Sequence, residues 1–263
     1  MRNSIAFAAA FLASVPSIHA QKELASSAPP AEVATSASEA PREFVARGDV
    51  HRLIVPAGHA LVRGARNAEI ELYREDYGSF VLLELRVPSA RDLATLLARG
   101  AQLVDHQSLV ALNGYLLDGA DAETTRATRA ALPPLLRTDP AAEERLELVQ
   151  FRGPIKDEWR ASLEQTGAFV VAYVPHNAYV VKSDARAHAA LAALAGKPYV
   201  LGVSDYEPAF KLRPTLRDAA LALGGIHDVI VQVVADARGE AFADALEARA
   251  LAVLQPRERV LDY

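Results

Sequence analysis

Between Glu143 and Leu212 the chain alternates strand and helix signals in an order that few folds can satisfy. Leu146–Arg152 reads as a strand. Gly153-Pro154 breaks it and opens a helix to Thr166, on which Ile155, Trp159 and Leu163 recur at i, i+4 and i+8 and so share one face. Gly167 stops that helix. Ala168–Val174 and Ala178–Lys182 are strands, joined by Pro175-His176-Asn177, residue types suited to a turn. Asp184 is placed to cap a helix over Ala185–Ala195, Gly196-Lys197-Pro198 ends it, and Tyr199–Val203 is the last strand. The order is βαββαβ. With right-handed crossovers it predicts a four-stranded antiparallel sheet with both helices on one side, the ferredoxin-like arrangement. The expected fold class is therefore α+β, built from small ferredoxin-like units in tandem.

The flanking regions carry weaker versions of the same signals. In residues 44–142, Glu69–Glu75 and Ser79–Arg86 flank Asp76-Tyr77-Gly78 and predict a β-hairpin. Pro88-Ser89 opens a helix through Arg99, with Leu93, Leu96 and Leu97 on its apolar face. Leu103-Val104 and Leu109–Leu112 read as short strands, and Asp121–Leu132 as a further helix closed by Pro133-Pro134. In residues 213–263, His227–Ala235 reads as a strand, Glu240–Ala250 as a helix and Leu251–Leu254 as the opening of another strand. This last region is a partial βαβ unit, which cannot cover both sides of its own sheet and is expected to be incomplete.

The first twenty residues read as an address. Arg2 precedes an uncharged apolar run, Ile5–Val15, and Ser17-Ile18-His19-Ala20 ends in a small residue, the pattern of a secretory signal that is too short to span a membrane. Residues 21–43 are an Ala/Ser/Pro-rich linker in which few side chains can build a core. The product is expected to be secreted or periplasmic, with no membrane attachment once the signal is removed. Lys+Arg is 28 against Asp+Glu 33, a net charge of -5, which argues against nucleic acid as a partner. The chain has no cysteine, so disulfides, thiolate metal sites and thiol nucleophiles are excluded and packing alone must hold it.

The central sheet has an unusual pattern. An antiparallel sheet backed by helices on one side normally presents alternating polar residues on the other. Here Phe169, Val171 and Tyr173 fall on one face and Val170, Ala172 and Val174 on the other, and Tyr179-Val180-Val181 and Tyr199–Val203 are equally apolar on both. An uncovered apolar face is an interaction site or an aggregation hazard, so something is expected to cover it: another region of this chain or a separate protein. The candidate partner-interface residues are Phe169, Val171, Tyr173, Tyr179, Tyr199, Leu201, Tyr206, Phe210 and Leu212. Trp159 is expected in the core.

Catalytic and ligand motifs are missing. No H-E-x-x-H, G-x-S-x-G or G-x-G-x-x-G occurs, and no two histidines stand at i, i+4. His106, His188 and His227 read as surface or partly buried imidazoles, and Glu143-Glu144, Asp205 and Glu207 as carboxylates in solvated turns. The expectation is no cofactor, no metal and no enzymatic activity.

Three blocks carry a resemblance: Leu148–Ile155 with Trp159, Tyr173–Val181, and Pro208–Pro214. Their residues and spacing resemble the region ahead of the catalytic domain in large bacterial extracellular subtilisin-like serine peptidases. Asp76-Tyr77-Gly78 and the sequence around Asn113 fit the same region more loosely. The resemblance implies a ferredoxin-like prosegment, related to peptidase-inhibitor propeptides, whose sheet face docks on the protease while a following extended segment lies in the substrate cleft. Tyr206–Arg213 is the candidate for that segment. The family's catalytic D-[ST]-G, H-G-T-H and G-T-S-M are absent, so no catalytic residue carries over. The implied function is an exported module that binds a subtilisin-like protease domain as inhibitor or folding chaperone. The alternatives are the N-terminal part of a secreted peptidase whose catalytic domain is missing, and a structural or adhesive exported module.

Overall fold

The computed structural model describes residues 49–63, 69–221, 229–234 and 236–257. The segments expected to be an export signal and a linker, residues 1–43, and His227 lie outside them. The chain is α+β, with two four-stranded antiparallel sheets and a separate hairpin between them in sequence.

The first sheet is built from β1 (Val50–Pro56), β2 (Glu71–Asp76), β3 (Phe80–Arg86) and β4 (Gln102–Leu103). A short helix α1 (Ala60–Arg63) follows β1, and α2 (Ala90–Ala98) follows β3. Gly78, at φ 79°, makes the β2–β3 turn that the Asp-Tyr-Gly signal predicts. Ser89 caps α2 through the amide of Asp92. The strand order is β2-β3-β1-β4. One face packs Leu53, Val55, Val81, Leu83 and Leu85 beneath Leu61 and Val62 of α1 and Leu93 and Leu96 of α2.

The second sheet is β7 (Glu144–Phe151), β8 (Phe169–Val174), β9 (Ala178–Asp184) and β10 (Val200–Asp205), with α4 (Asp157–Glu164) and α5 (Ala185–Leu194) as its crossovers. Asp184 caps α5 by accepting from the Ala187 amide, as its sequence position predicts. The order is β10-β7-β9-β8 with every pair antiparallel. Read from its β4 edge, the first sheet has the same order: last strand, first, third, second. Two βαββαβ stretches of one chain thus close into the same topology.

Between them stand the hairpin β5 (Leu109–Leu112) and β6 (Tyr115–Asp118) and helix α3 (Ala122–Ala131). The buried apolar residues of the hairpin, Val110, Leu112 and Leu117, face the second sheet, whereas α3 buries none of its own. On the helix side of that sheet, Val149, Phe151, Val181 and Val200 pack with Trp159, Leu163, Ala187 and Leu191. On the opposite side, Leu146, Leu148, Val174, Ala178 and Val180 pack with Val110, Leu112 and Leu117 of the hairpin, with Leu132, and with Tyr206, Ala209 and Phe210. The second face is covered, and the cover is this chain.

Residues 208–211 form a 3-10 turn, followed by α6 (Pro214–Leu221) and α7 (Ala237–Glu247). The strand expected over His227–Ala235 is not formed at 229–234, and the one expected at Leu251–Leu254 is irregular and exposed. In both places the apolar run pairs with no neighbouring strand among the described residues, and propensity alone does not hold an isolated strand in water. The segment is tied to the second sheet at Val234, which packs on the hairpin-side core, and at Asp236, which accepts from Lys182 Nζ at 2.6 Å.

Candidate functional site

The residues singled out as a partner interface divide into three groups. Leu201, Tyr206 and Phe210 are buried inside the chain. Tyr206 and Phe210 meet edge-on at 5.9 Å beneath Tyr115, and Asn113 Nδ2 donates to the Phe210 carbonyl at 2.6 Å. Tyr206–Arg213 is therefore not an extended strand available to a cleft: its centre is a 3-10 turn whose side chains fill the core, and the buried Glu207 accepts from the Thr138 amide at 2.5 Å. Tyr179 and Tyr199 are half-buried on the helix side. Trp159 stacks on Tyr199 at 5.1 Å and on Phe151 at 6.1 Å, and Tyr179 meets Phe151 edge-on. Leu212 is half-buried beside the same turn.

Phe169 and Tyr173 are the exposed pair, at 55% and 47%. Phe169, Val171 and Tyr173 do not all share a face as strict alternation predicts: Phe169 and Val171 lie on the hairpin side and Tyr173 on the helix side. Val170 pairs with Val181 and Ala172 with Val180, so Val171 is an extra residue in a β-bulge. Beyond the bulge the parity inverts. Tyr173 joins Tyr179 on the helix side at 5.6 Å, whereas Val171 packs toward the hairpin.

The blocks Leu148–Ile155, Tyr173–Val181 and Pro208–Pro214 each have a packing role. Arg152 to Lys156 form the junction between the two sheets. Arg152 Nη1 donates to Glu84 Oε2, Arg52 Nη2 donates to Glu84 Oε1 at 2.6 Å, and the Arg152 guanidinium lies over the Tyr73 ring at 5.2 Å. Lys156 Nζ donates to Glu75, and Tyr77 Oη to the Pro154 carbonyl at 3.0 Å. Gly153 lets the two units approach closely there: a Cβ would stand 2.6 Å from both Leu82 Cδ2 and Tyr77 Oη, which would have to shift. Burial raises the Tyr73 and Tyr77 phenols well above their ordinary range, with Glu75 adding to it. The Pro175-His176-Asn177 turn takes two left-handed residues, φ 68° and 63°, and is pinned by His176 Nδ1 donating to Leu109 O at 2.6 Å. Gln150 Nε2 joins the same place, donating to the carbonyls of Gln107 and His176 at 3.0 Å each.

Two constellations resemble catalytic machinery in composition and not in geometry. Ser183 and His188 both bond to Glu147, Ser183 Oγ to Oε2 and His188 Nδ1 to Oε1 at 3.0 Å. A nucleophilic serine needs the imidazole as its proton acceptor. Here the hydroxyl is spent on the carboxylate, and Ser183 is 1% exposed. His51 Nδ1 donates to Asp105 Oδ2 at 2.8 Å, but Asp105 also accepts from the Arg52 amide, and the buried Ser108 hydroxyl turns to the Asp105 carbonyl. Both sets hold strands and helices together.

A cleft of about 510 Å³ is lined by Arg129, Pro134, Arg137, Thr138, Asp139 and Pro140. Its cations are committed: Arg129 ion-pairs with Asp205 at 2.6 Å and Glu207 at 2.9 Å, and Arg137 donates to the carbonyls of Leu132 and Ala130. Lys211 is buried nearby, and desolvation, partly offset by Glu207, lowers its ammonium to about 8. Among the described residues no group of three or more His, Asp or Glu is placed to hold a metal ion, and no helix is long and apolar enough to cross a membrane.

The stretch that starts at the hairpin and runs to the end of the second sheet is also the stretch known elsewhere. Residues 109–207 match the family described as a domain of unknown function, DUF8729. No curated protein and no solved structure matches the chain. The family match begins at Leu109, the first residue of the covering hairpin, and ends at Glu207, whose carboxylate holds Thr138.

Proposed function

We propose that the chain is a non-catalytic, exported binding module, similar to the prosegments of subtilisin-like serine peptidases, that binds such a protease domain as inhibitor or folding chaperone. The observation that carries this reading is the repeated βαββαβ topology, two sheets of identical strand order in series, together with the prosegment-like sequence blocks. The docking surface differs from the sheet face expected of that family, because the hairpin covers that face. The exposed stretch Val229-Ile230-Val231 takes its place. These side chains are 43–73% accessible, and the stretch lacks regular structure and is tethered downstream by Val234 and Asp236. A segment of that kind enters a cleft by adding main-chain hydrogen bonds to an exposed strand of the enzyme, with alternate side chains filling pockets.

The test is to add the purified chain to a subtilisin-like protease, follow peptide hydrolysis, and separately refold the denatured protease in its presence. Inhibition or a raised refolding yield, weakened by Ile230→Asp, supports the proposal. No inhibition at tens of micromolar and no gain in refolding rejects it. The sealed sheet face favours a second reading, a structural module of the exported proteome, which a pull-down recovering no protease would support.

A further inference from the structure

We propose that the outer edge of β8 pairs with the same edge of a second copy, joining two second sheets into one eight-stranded sheet across a two-fold axis. The four-stranded sheets treat their edges unequally. An edge strand exposes unpaired amides and carbonyls, and folded proteins blunt such edges with charges, brevity or cover. Three of the four edges of the two four-stranded sheets are blunted. β2 reads ELYRED, and its Arg74 reaches back to the carbonyls of Leu61 and Val62. β4 is two residues long. β10 ends in a charge, Asp205, which ion-pairs with Arg129 at 2.6 Å and Arg145 at 3.9 Å.

β8 differs from all three. Its six residues, Phe169–Val174, include no charge and no proline, and among the described residues it has no strand neighbour other than β9. Phe169 and Tyr173, at its two ends, are about half exposed and lie on opposite faces. A second copy suits this edge for two reasons. The hydrogen-bonding edge of a strand is self-complementary when two copies run antiparallel about a dyad. A neutral edge also meets its own image without the like-charge repulsion that β2 would suffer. The antiparallel arrangement carries Phe169 of each copy toward the Tyr173–Val174 end of the other. The Val171 bulge interrupts the ladder and limits pairing to short runs on either side of it, so the interface is small and its dissociation constant is expected at about 10–1000 µM.

The experiment is sedimentation velocity on the purified chain from about 5 to about 500 µM, with hydrogen exchange at both extremes. The expected result is a monomer–dimer equilibrium in which β8 amides exchange more slowly at the higher concentration. Phe169→Lys is expected to weaken the dimer roughly 3- to 30-fold, since each substitution acts twice across the axis. Tyr173→Lys is the second variant, with unchanged far-ultraviolet circular dichroism required of both. Ile230→Lys and Leu251→Lys, on the exposed C-terminal stretch, are expected to leave the dimer intact. A monomer throughout the range, or a dimer that Ile230→Lys or Leu251→Lys dissolves while Phe169→Lys does not, overturns the proposal.

Discussion

The two sheets share a strand order and differ in what lies on their second face. In the first sheet that face is largely polar: Arg52, Glu84 and Tyr73 turn toward Arg152, and the contact with the rest of the chain includes an Arg–Glu–Arg cluster, the Lys156–Glu75 pair and Leu82 wedged against Gly153. In the second sheet the corresponding face is aliphatic and is covered by Val110, Leu112 and Leu117 of a hairpin that precedes it in sequence. The same topology thus tolerates two ways of being sealed, one by charge pairing and one by hydrophobic burial. An apolar second face identifies a need for cover and says nothing of whose cover it is.

The largest effect is expected from removing the cover. Residues 143–212 alone would bare Leu146, Leu148, Val174 and Val180. They should bind a hydrophobic dye and lack a cooperative urea transition, whereas residues 109–212 should unfold cooperatively. A cooperative transition in the shorter piece would break the comparison.

Single substitutions sharpen it. Glu84→Ala leaves the buried Arg52 without its carboxylate and should cost about 3–5 kcal/mol in urea denaturation. Arg52→Met with Glu84→Met should recover much of that loss, because apolar residues of similar size replace a buried pair well. Trp159→Ala should cost about 3–5 kcal/mol and Leu117→Ala about 2–5 kcal/mol. A Leu117→Ala loss near zero would mean that the hairpin covers without stabilising. Gly153→Ala should cost about 1–3 kcal/mol through overpacking against Leu82 and Tyr77.

The smallest effect is a pH dependence specific to the second sheet's cover. Burial lowers the folded Lys211 to about 8, below its ordinary value, so the unfolded chain binds more protons above that pH and stability rises with pH. The gain should be roughly 1–2 kcal/mol between pH 8 and 9.5 and should vanish in Lys211→Met. Tyr73, Tyr77 and Tyr206 are raised by burial and stay protonated when folded, so they weaken the fold only as pH climbs toward 10 and beyond.

Much of the second unit was legible because its signals are local. Its strands and helices, the Asp184 cap and the core position of Trp159 follow from periodicity, turn residues and capping chemistry. β1 was not legible: Val50–Pro56 buries His51 and Arg52, whose partners Asp105 and Glu84 lie far along the chain, so neither alternation nor an apolar run marks it. β6 was missed beside its Asn113-Gly114 turn, although two left-handed residues there, φ 44° and 85°, are what a two-residue hairpin loop requires. The single face expected to carry Phe169, Val171 and Tyr173 is broken for a physical reason of the same kind. One inserted residue at Val171 inverts the facing of Tyr173, and period-two reasoning has no means of seeing a bulge. Of the nine, Phe169 and Tyr173 remain strongly exposed, and they stand on opposite faces.

The order of cover and covered has a consequence during synthesis. Val110, Leu112 and Leu117 leave the ribosome ahead of every strand that will receive them, and Phe210, which completes their seat, follows Val110 by about 100 residues. At translation speeds of roughly 5–20 residues per second, the hairpin waits about 5–20 s with its greasy side unclaimed. The nascent protein therefore carries this cover ahead of everything it covers, and a holdase engaged near Leu109–Asp118 would protect it through the interval before its seat is made.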